Sequence, residues 1–205
     1  ITSDSKFGGG CVEIRSDSYL VYEAGSKNQI AMDQYNPWSL SFWFQATSLP
    51  KDGMYIFQKS TENEPATTLA GRGRGFFMDT AGNVEWRSYS HSNVQMMNNT
   101  DHPLCDGEWH HVVFVGWVED PTAASTVAIR PYYDGALLGY ANVNMISWAG
   151  LVGKPVHSMG DGVGGINYRL DDLFFANYPL SLTTIEALYN EGAGERADVA
   201  DLAGL

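Results

Sequence analysis

Asp106-Gly107-Glu108-Trp109-His110-His111-Val112-Val113-Phe114-Val115 reads as a tight turn running directly into a buried strand. Gly tolerates a positive φ and Asp bonds its own backbone, so Asp-Gly supplies the turn. Trp, Val and Phe then fit a pleated, packed surface. Two further blocks follow in order. Tyr132-Tyr133 leads into a second Asp-Gly turn, Asp134-Gly135, and Gly165 to Phe175 carries Leu170-Asp171-Asp172-Leu173.

Working outward, short strand signals recur along the chain. Leu40–Gln45 alternates after the turn-favouring Asn36-Pro37, and Met54–Gln58 follows Lys51-Asp52-Gly53. Gly75–Asp79 and Asn83–Tyr89 flank Thr80-Ala81-Gly82, which predicts a hairpin. Val127–Tyr133 and Leu137–Tyr140 flank the second Asp-Gly turn, with Pro131 marking an edge position or a bulge. Short strands with frequent turns predict a sandwich or barrel and not βαβ units. One helix is predicted near the end. Thr183 as N-cap and Glu186 three residues on form a capping box, Ile185, Leu188 and Tyr189 share a face, and Gly192 is a stop. It is expected to pack across one end of the sandwich.

Composition narrows the function classes. A chain of 205 residues, 44% hydrophobic and 13% aromatic, buries one substantial core. Its net charge of −12 argues against nucleic acid and anionic membranes as partners, since both select a basic footprint. The charge is compatible with cation binding and with extracellular solubility, while plain surface acidity is the simpler reading. No apolar run approaches about 18 residues, so no membrane insertion is expected. Ile1-Thr2-Ser3-Asp4 has no signal-peptide character, and the chain reads as a processed form, an excised domain or a renumbered one. Cys11 and Cys105 lie far apart and lack Cys-x-x-Cys spacing, which leaves a disulfide and two free buried thiols both open.

These blocks, in this order, resemble the laminin-G-like domains of the concanavalin A-like jelly-roll superfamily. Phe7–Ile14 through Tyr19-Leu20 is similar to the opening strand pair, and Trp38–Phe44 to the first sheet strand. Asp106–Val112 resembles the most distinctive motif, and Tyr133-Asp134-Gly135 the next hairpin. Leu170–Leu173, Leu180-Ser181-Leu182 and Ile185–Tyr189 resemble the closing strand and helix. Arg15-Ser16 departs from the pattern, since such domains often carry Asp-Gly there. The resemblance implies an all-β, two-sheet antiparallel jelly-roll sandwich over residues 1–192, about six or seven strands per sheet, with one short C-terminal helix. Residues 193–205 would be a tail or linker. It further implies a non-catalytic extracellular recognition module on the surface of a cell or virion, binding glycan or protein. A structural or assembly role, in a viral capsid, a fibre or an adhesin spacer, is the alternative. A polysaccharide-active enzyme is the second alternative.

The residues themselves argue against catalysis. A retaining glycosidase needs two carboxyls about 5–5.5 Å apart. Glu62 and Glu64 have the spacing for that on a strand, but Pro65 suggests a loop, and adjacent Asp171 and Asp172 point to opposite faces of a strand. Neither Gly-x-Ser-x-Gly nor His-Glu-x-x-His occurs. His110 and His111 likewise diverge in a strand and do not chelate one ion together, so one is expected inward and one outward. Gly71-Arg72-Gly73-Arg74-Gly75 reads as a hairpin loop feeding Phe76 and not as an RNA-binding tract.

Two kinds of site remain. The resemblance implies a structural calcium where first and last strands meet, with Asp171 as its acid and Asp4, Glu13 and the Gly10 carbonyl as partners. The alternative has Asp171 bonding backbone amides in a turn; Asp161 is a secondary metal candidate. Sugar binding calls for exposed aromatic rings with amides and carboxylates nearby. Trp86, Tyr89, Trp117 and Trp148 are the candidate platforms, each with ordinary burial as the competing reading, and Trp43 and Trp109 are expected in the core.

Overall fold

Antiparallel ladders build two stacked sheets in a computed structural model that describes residues 5–7, 9–16, 18, 20–23, 36–60, 74–88, 91–117, 126–144, 156–159, 165–190 and 193. One sheet has seven strands in the order β1 (Val12–Ile14), β13 (Tyr168–Ala176), β3 (Trp38–Ala46), β8 (His110–Trp117), β9 (Thr126–Tyr133) and β10 (Ala136–Leu137). The seventh, β11 (Ala141–Asn144), also pairs with β9. The other sheet has six, in the order β2 (Leu20–Glu23), β12 (Val156–Met159), β4 (Met54–Ser60), β5 (Arg74–Met78), β6 (Val84–Ser88) and β7 (His91–Met97). This is the expected jelly-roll sandwich.

Alternate residues of the central strands enter the space between the sheets. Phe42, Phe44, Val112, Phe114 and Leu170 from the seven-stranded sheet meet Ile56, Phe76, Met78 and Trp86 from the other. Phe76 stacks on Phe114 with centroids 3.6 Å apart. The opposite residues of the seven-stranded sheet are also covered. Val113, Val115 and Tyr132 form a second apolar cluster with Leu180, Ile185 and Leu188 around helix α1 (Leu182–Tyr189). The helix therefore lies on the outer face of this sheet and not across one end of the sandwich. Burial on both sides explains why Trp38–Phe44 is uniformly buried.

Local chemistry sets the connections. Asp134 and Gly135, at φ 49° and 78°, form a two-residue turn between Tyr133 and Ala136, the geometry that suits the twist of a hairpin. Of the strand expected at Leu137–Tyr140 only Leu137 is in a strand, at the end of β10, and residues 138–140 separate it from β11. Pro131 sits opposite the break, where its carbonyl accepts the Leu138 N–H and its missing donor interrupts no ladder. The supposed opening pair separates: β1 pairs with β13 in one sheet and β2 with β12 in the other. Arg74 and Gly75 belong to β5 and not to a loop. The helix is capped by Ser181, whose hydroxyl accepts the Thr184 N–H at 3.1 Å, and not by Thr183. It stops at Asn190, in the left-handed region at φ 43°, two residues before Gly192. No helix among the described residues is long and apolar enough to cross a membrane.

Candidate functional site

At the lower end of β1, β13 and β3 the outer face opens into a polar cleft of about 240 Å³. Ile14, Leu170 and Phe44 point into the core, so their neighbours Glu13, Arg169 and Gln45 point outward. Register places Glu13 opposite Arg169 and Arg169 opposite Gln45, making one row of carboxylate, guanidinium and amide across three strands. Arg169 Nη1 donates to Gln45 Oε1 at 3.1 Å, and Gln45 Nε2 donates to the Gly107 carbonyl at 2.8 Å. Thr47 and Asn167 complete the polar rim, Asn167 Oδ1 accepting the Ser16 N–H at 3.0 Å. Such a surface donates and accepts hydrogen bonds side by side with little net charge.

Behind it stands the Asp-Gly motif. Gly107, at φ 96°, donates its N–H to the Ala46 carbonyl at 2.9 Å. Asp106 Oδ1 accepts the Glu108 N–H at 3.0 Å and lies 3.1 Å from His110 Nε2. His110 Nδ1 lies 2.9 Å from Asp134 Oδ2 and 2.7 Å from the Tyr133 hydroxyl, which donates to the Pro103 carbonyl at 2.7 Å. A carboxylate at each ring nitrogen suits the imidazolium form, in which both nitrogens donate. Burial opposes that charge, but hydrogen bonds and attraction from Asp134 and Asp106 prevail and raise the His110 pKa. Asp106 is held below the usual carboxylate range: burial works against its charge, and the Glu108 amide and His110 outweigh it.

His111 points to the opposite face of β8 from His110, as expected, but that outer face is covered, so it is buried as well instead of facing solvent. Its ring clusters with Trp43 at 5.1 Å and Tyr189 at 6.4 Å, those two rings being 6.1 Å apart, and Ser41 Oγ lies 2.9 Å from Nε2. Tyr189 belongs to the helix, whose covering of the outer face a strand pattern does not anticipate.

Asp171 takes the alternative role. Its carboxylate accepts the amides of Phe7 at 3.4 Å and Asp172 at 2.9 Å, beside a bulge where Asp172 has φ 46°. This bonding fastens the segment that sets Phe7 edge-on to Trp43 at 6.1 Å. Glu13 faces Arg169 and lies 3.7 Å from Arg15, cationic company that disfavours a divalent ion. The Gly10 N–H donates to Ser5 Oγ, and Asp4 and Asp161 lie outside the described residues. Among the described residues no three His, Cys, Asp or Glu form a group able to hold a metal.

The aromatic platforms fare unevenly. Trp86 is 1% exposed and packs edge-on to Phe76 inside the sandwich, so it belongs to the core and is no platform. Trp117, at the end of β8, is 38% exposed with the Arg130 guanidinium 5.8 Å from its ring. Tyr89, Trp148, Glu62 and Glu64 lie outside the described residues. Trp43 is buried as expected, whereas Trp109 is only half-buried. No disulfide joins Cys11 and Cys105, which favours the reading of two thiols: the Cys105 thiol approaches Met78 Sδ at 3.6 Å. Burial, with Asp106 nearby, pushes the Cys105 pKa up to about 11 and keeps it a thiol.

Sequence reasoning missed Gln45, Thr47, Asn167 and Arg169. Alternation along β3 and β13 marks Gln45 and Arg169 as outward-facing, but the register that sets them in one row with Glu13 is not legible in the chain.

The sequence matches a laminin-G family model, described as the concanavalin A-like lectin/glucanases superfamily, over residues 19–186. No curated protein matches it significantly. Among solved structures it is similar to a receptor binding domain, with 14% identity and a TM-score of 0.58 over 89% of this chain and 42% of that one. It is also similar to the binding domain of botulinum neurotoxin DC solved in complex with rat synaptotagmin II, at 14% identity and TM-score 0.55 over 88% and 42% of the two chains. The same domain in complex with SialylT gives 15% identity and TM-score 0.55 over 88% and 42%. The chain thus spans less than half the length of these structures, and at such identities the likeness is one of fold.

Proposed function

The chain belongs to the concanavalin A-like lectin/glucanases superfamily, and we propose that it is a non-catalytic recognition module binding carbohydrate through its outer-face cleft. The observation that carries this reading is the Glu13–Arg169–Gln45 row with Thr47 and Asn167 at its rim. Each sugar hydroxyl both donates and accepts, and this row presents acceptor, donor and amide within one cleft. The cleft is small, about 240 Å³, which suits a single sugar unit better than a long chain. Binding domains of similar fold solved with SialylT and with synaptotagmin II support a recognition role, and such a module works on the outside of a cell or particle.

A glycan array probed with and without chelator tests the proposal. Binding that falls roughly tenfold in Glu13→Gln and Asn167→Ala supports it, the loss of one charge-assisted bond being worth about 1.5–3 kcal/mol. Binding to nothing on the array removes the carbohydrate reading. Binding untouched by both substitutions moves the site elsewhere, with Trp117 next to be changed.

A further inference from the structure

The cleft and the buried histidine cluster share a single turn. Gly107 holds Gln45 Nε2 on its carbonyl, and the residue before it, Asp106, is held by His110. With Nε2 fixed on Gly107, the other end of the Gln45 amide, Oε1, is presented to Arg169. We infer that the Asp106–His110–Asp134 cluster is a proton-dependent latch that orients Gln45, so the cleft keeps its hydrogen-bonding face only while His110 is an imidazolium. This rests on the cleft being the binding site; the latch itself is a property of the fold.

The geometry shows which proton leaves. Nδ1–H is shared between Asp134 Oδ2 and the Tyr133 oxygen, and Asp134 is pinned again by the His111 N–H at 2.8 Å. Nε2–H faces Asp106 alone among the carboxylates, and the Asp106 side chain is 37% exposed against 22% for Asp134. Loss of the Nε2 proton to water sets a lone pair against a carboxylate, and Asp106 is the partner able to turn to solvent. It then keeps only the Glu108 amide of its two bonds to Oδ1. The Asp106-Gly107 turn loosens, and Gln45 loses the carbonyl that aligns it.

Other titratable groups surround the ring. From the turn-bearing segment come Asp106, Cys105 and His102, the last with its ring 5.1 Å from Tyr133. The β9 hairpin supplies Tyr133, stacked on His110 at 4.9 Å, and Asp134. Tyr189 of the helix acts on Tyr133, Lys6 acts on Asp134, and His111 faces the other side of β8. Carboxylates from two separate segments hold the charge.

The test needs no ligand. Magnetic resonance of the intact chain follows the Gln45 side-chain NH2, the Gly107 N–H and the His110 ring nitrogens from about pH 5 to about pH 9. Gln45 and Gly107 are expected to shift with the same midpoint as His110. In Asp106→Asn, which keeps an acceptor for Glu108, that midpoint moves down toward the ordinary value of about 6.5. In His110→Gln the Gln45 signal sits at its high-pH position throughout. Gln45 signals that ignore the His110 titration overturn the latch, as does a His110 that stays charged across the range. For a glycan found on the array, binding weakens roughly tenfold above the midpoint in the native chain and not in His110→Gln. Absence of any glycan ligand defeats the function proposed above and leaves the latch to the resonance data.

Discussion

His110 and His111 stand side by side with opposite proton affinities. His111 is 1% exposed, and burial, with Lys6 adding to it against Asp134, lowers its pKa to about 4. The unfolded chain takes that proton at about 6.5, so it binds more protons than the folded one in between. Stability is therefore present above pH 6.5 and lost as pH falls toward 4, by on the order of 3 kcal/mol. His110 has the reverse sign: its folded pKa is raised, so its contribution is complete below about 6.5 and lost as pH rises through the folded value. Urea melts at successive pH values should show the acid loss in the native chain and largely flatten it in His111→Gln. Gln58 gives another residue-scale outcome. It is fully buried, and neither amide atom has a hydrogen-bond partner among the described residues. Gln58→Met is expected to raise stability by about 1 kcal/mol in the same melts, because an unpaired buried amide costs about that much or more. Neither outcome is visible in the chain, where a His-His pair or a strand glutamine carries no mark of what covers it.

Among the elements, the helix separates what pattern and packing each decide. Its apolar face was legible, since Ile185 and Leu188 are buried where the 3.6-residue period places them. Its start was not, because Ser181 and Thr183 are both good caps and only the fold of Leu180 onto the sheet selects Ser181. Ser181→Ala should cost about 1 kcal/mol of unfolding free energy and Thr183→Ala almost nothing, as read from paired denaturation curves. In β8 the backbone of Gly116 lies against Trp38, and a Cβ there would stand 2.2 Å from the indole. Gly116→Ala should destabilise by about 2 kcal/mol through overpacking, with a matching fall in the urea midpoint. The strands β3, β4, β5, β6, β8 and β9 were each legible from alternation or apolar runs bounded by turns. Strand β1 is three residues long; that it meets the last strand, β13, was implied by the family resemblance, but its register, formed across most of the chain, was not legible.

The whole molecule holds together without a covalent staple between its two cysteines. Adding reductant should leave the melting temperature unchanged, and mass spectrometry after alkylation of the unfolded chain should count two free thiols. The core explains why none is required, since Trp38, Phe42, Phe44, Phe76, Phe114 and Trp86 are all essentially inaccessible to water.

Taken alone, the amino-acid order determined a chain of short strands suited to a sandwich or barrel, and the family resemblance narrowed this to the jelly-roll sandwich. Turn chemistry at Asp106-Gly107 and Asp134-Gly135 and the periodicity of the strands are local properties, set by φ preferences and by which side chains fit a pleated surface. Only the tertiary structure decided the cleft and the latch. Glu13, Gln45 and Arg169 come from strands distant in sequence, and they meet through a register fixed by core packing between the sheets. Burial of His111 followed from the helix and the N-terminal segment covering the outer face, a long-range contact with no local signature.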